Sequence, residues 1–169
     1  VVLALDSTAD PSSGDAAGGA VCHSVPVTSN PEPALVPELL VRDLHASLGF
    51  WSGLCGFEVR YDRLEEGFAY IALGAAHLML ERLGAGRQWI AAPIERPFGR
   101  GVNFQVSVPD VEPILAALRS ANVALFMPPE EKWYRVGDEE AGVRQFLVAD
   151  PDGYLIRFQA SIGRRTAAV

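Results

Sequence analysis

One stretch constrains this chain more than any other: Asp150-Pro151-Asp152-Gly153-Tyr154-Leu155-Ile156-Arg157-Phe158, a polar turn that feeds directly into a strand. It reads as the close of a unit that occurs twice. The first copy opens with Leu35 to Val41 as a strand. Asp43 then caps a helix from Leu44 to about Leu54, with Leu44, Leu48 and Trp51 in helical register and Gly56 ending it. Three short strands follow, Phe57 to Tyr61, Phe68 to Leu73 and His77 to Leu83. A Gly/Pro-rich connector from Gly84 to Gly101 leads to the second copy. There Val102/Phe104/Val106/Val108 alternate with Asn103/Gln105/Ser107. Pro109-Asp110 opens a helix to about Ser120, and Pro113 is tolerated because it lies in the first turn. Strands are expected near Ala124 to Met127, Gly142 to Ala149 and Tyr154 to Gln159, with Pro128 to Ala141 as a long polar loop. The fold class is α+β, two β-α-β-β-β modules spanning 34–83 and 102–160, which is an internal repeat rather than a solenoid.

The rest of the chain bounds the function. Residues 1 to about 33 are rich in Ser, Gly, Ala, Asp and Pro without a sustained period, and read as a flexible arm. Residues 161–169 read as a tail. A net charge of −7 argues against nucleic acid, which needs a basic face, and suits a cationic small molecule. Cys22 and Cys55 make neither a metal spacing nor a disulfide framework. No apolar run reaches the ~20 residues of a membrane helix, and Val1 to Leu5 lacks the basic flank of a signal peptide. The expected location is cytoplasmic, with no membrane partner.

The repeat and its Asp-Pro-Asp-Gly turn resemble the vicinal-oxygen-chelate superfamily: glyoxalase I, extradiol dioxygenases, fosfomycin-modifying enzymes and bleomycin-resistance proteins. The resemblance covers about residues 34 to 160. It implies paired modules curved into an open cup, with each site built from two subunits of a homodimer. It also implies four metal positions, on the first and last strands of each module. Counting back from Asp43 and Asp110 places the first-strand positions at Val36 and Asn103, and the last-strand positions fall on Glu81 and Arg157. Only Glu81 is a normal ligand. Asn103 offers a weak amide oxygen, Val36 no donor, and Arg157 is a permanent cation with no lone pair to give. The expectation is therefore no metal, no cofactor and no catalytic residue.

Period-2 geometry lines the cup with Glu38, Glu81, Asn103, Gln105 and Arg157. Bleomycin-resistance proteins present an aromatic near the final hairpin, and Trp133 and Tyr134 stand closest to that place here. These seven are the candidate ligand-binding residues. The leading expectation is a metal-free binding protein of the bleomycin-resistance type, sequestering a cationic or amphipathic drug or metabolite at a dimer interface. A metal-dependent lyase, isomerase or dioxygenase and a dimer without a small-molecule ligand are the alternatives. In the dimer, Glu81 of one subunit is expected to pair with Arg157 of the other.

Overall fold

The structure, a computed structural model, describes residues 33–167. The expected arm, with His23 and Cys22, lies almost wholly outside the described residues. Strand β1 spans Glu38–Val41. It starts later than Leu35 because Pro37 gives its carbonyl to Met79 N (2.9 Å) but has no N–H to continue a ladder. Helix α1 (Leu44–Trp51) begins where Asp43 accepts a hydrogen bond from Ala46 N. Then come β2 (Glu58–Arg63), β3 (Phe68–Leu73) and β4 (Ala76–Arg82). The second module holds β5 (Asn103–Ser107), α2 (Glu112–Ser120), β6 (Leu125–Val136), β7 (Glu139–Ala149) and β8 (Leu155–Thr166). The two sheets have matching order, β1-β4-β3-β2 and β5-β8-β7-β6, each with its first strand parallel to its last. The module is thus repeated in three dimensions, an α+β fold of two open sheets.

The second copy departs from the expectation in two places. Pro128 to Ala141 is not a loop: β6 and β7 pair from Leu125 to Val148 around a turn at Gly137-Asp138. Two register breaks, either side of Met127, absorb Pro128 and Pro129, which cannot donate to a ladder. β8 likewise pairs with β7 as far as Thr166, through the segment that reads as a tail.

One face of each sheet meets its helix. Leu39, Val41, Ile71 and Leu80 pack against Leu44, Phe50 and Trp51. Val106, Phe146, Phe158 and Ile156 pack against Ile114, Leu115 and Leu118, and both sets belong to one core. Polar contacts lock the modules together. Asp150 Oδ1 accepts from the backbone N–H groups of Asp152, Gly153 and Tyr154, which shapes the turn. Its other oxygen accepts from Trp51 Nε1 (3.3 Å). Asp152, 1% exposed, accepts from the backbone N–H (3.0 Å) and Nε (2.6 Å) of Arg42. Tyr154 donates its hydroxyl to Leu40 O. Gly153 sits at φ 98°, and a Cβ there would lie 2.5 Å from Pro97 Cβ. The turn that marks the repeat is therefore the clamp between its copies.

Candidate functional site

The face of each sheet opposite the helices carries the candidate site. In module one, register pairs Glu38 with Met79, Met79 with Tyr70, and Tyr70 with Tyr61. The next row runs Leu40, Glu81, Phe68, Arg63. Glu38 and Glu81 are therefore diagonal neighbours on adjacent strands, and their carboxyl groups lie close enough to act on each other. Burial, then the nearness and charge of Glu38, raise the Glu81 carboxyl above its ordinary value; Gln88 and the Arg63 guanidinium oppose the rise. Beside this pair the rings of Tyr61 and Tyr70 stack at 5.0 Å, and Tyr61 also stacks on Phe68 at 6.0 Å. Arg63 lies 4.0 Å over the Phe68 ring and pairs with Glu66 (2.7 Å). A cavity of about 470 Å³ opens here, lined by Glu38, Arg63, Glu65, Phe68, Glu81 and Arg87 among others. His77 meets the Tyr70 hydroxyl at 2.9 Å through Nδ1.

In module two, Asn103 pairs with Leu155 and Gln105 with Arg157. Arg157 donates through an Nη to Gln105 Oε1. Gln145, 2% exposed on the same face, donates to Glu130 and to the Tyr134 hydroxyl, each at 2.8 Å. The structure thus brings Glu38 and Glu81 together in one module, and Gln105 and Arg157 in the other, with Asn103 one row from them. Tyr134 joins the second group; Trp133 does not. Neighbours on a strand face opposite ways, and Trp133 lies against Gly142 on the helix-side face, with Arg165 4.1 Å over its ring. Expecting both aromatics in one loop hid that parity.

The register corrects a second expectation. By pairing, the counterpart of Asn103 is Glu38, not Val36, which precedes β1. The strand-to-helix connection is longer in module two, from Ser107 to Glu112 against Val41 to Leu44, so counting equally far back from the two aspartates lands on positions that are not equivalent. The four corresponding positions are Glu38, Glu81, Asn103 and Arg157. This set does not fit a catalytic divalent ion: two carboxylates, a weak amide and a cation fall short of the ~3 good protein donors needed. Among the described residues no group of three or more His, Cys, Asp or Glu is placed to hold a metal.

Some lining residues escaped the sequence reading. Phe68 and Tyr70 alternate with buried Ala69 and Ile71, so period 2 alone could have placed them on the open face. Tyr61 needed the strand register. Gln145, a lone amide beside Phe146 in a buried run, was a signal in plain sight.

The sequence profile of the Glyoxalase/Bleomycin resistance protein/Dioxygenase superfamily matches residues 34–158, and the chain belongs to that family. No curated protein matches significantly by sequence. Among solved structures, TioX from Micromonospora sp. ML1 is similar, with TM-score 0.60 and 21% identity over 76% of this chain and 98% of its own. An integron cassette protein from the mobile metagenome of V. cholerae gives 0.57 and 17%, over 74% and 91%. A glyoxalase/bleomycin resistance protein/dioxygenase from Alicyclobacillus acidocaldarius gives 0.53 and 14%, over 80% and 96%. At these identities the likeness is one of fold. No described helix is long and apolar enough to cross a membrane.

Proposed function

We propose that this chain is a metal-free binding protein that holds a small cationic, flat or amphipathic molecule in the cup. The observation that carries the reading is the Glu38–Glu81 pair set beside the Tyr61/Tyr70/Phe68 rings. Two carboxyl groups forced together gain from an incoming cation, and ring faces attract cations and stack on flat rings. The neighbouring cavity of about 470 Å³ falls within the size range of small-molecule sites. The working unit in this reading is a homodimer. Within one chain the partners of Glu81 are Glu38, Gln88 and Arg63, while Arg157 meets Gln105; a twofold partner would bring the two complementary half-sites face to face.

The test is calorimetric titration of chelator-treated protein with bleomycin and a small panel of cationic metabolites. Binding of a cationic member, weakened about tenfold in Glu38→Gln and Glu81→Gln, is the expected result. If only anionic compounds bind, or if neither substitution changes affinity, the reading falls. A metal-dependent enzyme is the second reading. It gains from Glu38, which adds a carboxylate where Val36 had been expected. Elemental analysis of unchelated protein separates the two: about one tightly held Zn, Ni, Fe or Mn per chain would favour the enzyme.

A further inference from the structure

The open face of module two holds two buried polar atoms without partners among the described residues: the Oε1 acceptor of Gln145 and the Nε–H donor of Arg157. Buried groups of this kind are ordinarily paired, and each specific exception points to something. The orientation of the Gln145 amide is set by its surroundings. Glu130 as a carboxylate can only accept, so the NH₂ end must face it, and Oε1 is turned away from β6. Arg157 commits an Nη to Gln105 and leaves Nε with nothing to give to. Register sets Gln145 opposite Gln159 and Leu147 opposite Arg157. The two residues are therefore diagonal neighbours on one face, with backbones about 7–8 Å apart, and one small group can touch both side chains.

We propose that Gln145 and Arg157 form a subsite for a carboxamide-type group, one that carries an N–H beside a C=O: a primary amide, lactam or urea. The proposal rests on the reading that the cup holds a small molecule, and names a part of that molecule. The two atoms demand one acceptor and one donor from the same ligand. A carboxylate would serve Arg157 but offers no proton to Gln145 and lies near the Glu130 charge. An ammonium would serve Gln145 but has no lone pair for Arg157. An amide N–H and its carbonyl oxygen serve both. Gln145 is 2% exposed, so a ligand reaches Oε1 only when a neighbouring side chain moves.

The test is NMR of the full chain, observing the Arg157 Nε–H and Gln145 side-chain NH₂ signals, assigned with Arg157→Lys and Gln145→Leu. The probes are benzamide, N,N-dimethylbenzamide and benzoate. Benzamide is expected to shift both signals saturably and to bind at least tenfold more tightly than the other two. Gln145→Leu is expected to abolish that preference while dimethylbenzamide binds as before. Equal binding of the three, or no shift with any of them, overturns the proposal. So does a free protein whose Arg157 Nε–H is already protected from exchange; pairing with a partner subunit through the Nη groups would leave that proton exposed. Should the cationic panel bind while benzamide is silent, the amide subsite is wrong and the cup reading stands. Failure of both removes both.

Discussion

Glu81 is where residue chemistry and pH meet. In the folded chain its carboxyl keeps a proton to higher pH than the ordinary 4.5, through burial first and Glu38 second. Between 4.5 and that raised value the folded state binds more protons than the unfolded state, so stability falls as pH rises through the window. Above the window the ionised pair costs stability in full; below 4.5 both states are protonated and the cost is gone. Glu81→Gln should therefore raise the thermal midpoint at pH 7 and leave it unchanged near pH ~4. Melting curves at the two values check this, and a midpoint lowered at pH 7 would show that the charged pair is stabilising. The sequence made Glu38 and Glu81 visible as members of one face, because side-chain period depends only on being in a strand. That they are diagonal neighbours depends on which residue of β1 lies beside which residue of β4, and no local pattern encodes that.

At the scale of elements, the lock between the turn after β7 and the β1–α1 corner is the most exacting arrangement. Arg42→Ala leaves Asp152 buried with only the Arg42 backbone N–H, and should cost about 1–3 kcal/mol. Gly153→Ala should cost at least ~2 kcal/mol, since a side chain meets both a strained φ of 98° and Pro97. Urea unfolding with an unchanged m-value measures both; losses under half a kcal/mol would mean the clamp is incidental. Helices, turn glycines and a segment of each of the eight strands were legible because each carries a period or a cap. The β6–β7 hairpin was not, for a physical reason. Glu130, Glu131, Lys132 and Arg135 face solvent on a strand whose pairing partner, rather than a core, holds it in place. Such a strand looks like a loop until its partner is known.

The whole molecule carries Glu81 in one half-site and Arg157 in the other, and the dimer reading turns on whether they meet. Arg157→Glu should weaken association by setting like charges together in both cups, and adding Glu81→Arg should restore part of it. Sedimentation of wild type, single and double variants decides; a wild-type monomer at micromolar concentration, or no recovery in the double variant, excludes the pairing. The clamp carries a further consequence, for biosynthesis. Arg42 and Asp152 stand 110 residues apart, and a nascent chain presents the first long before the second. Strands β1 to β4 can pair as they emerge, since their contacts are local. The corner beside Trp51 has no acceptor for its indole N–H or for Arg42 until the final turn has left the ribosome. Closing so long a loop is slow relative to local pairing. The first half of this protein is thus made first and finished last, and a chain stalled before Asp150 leaves its Trp51 corner open to chaperones and proteases.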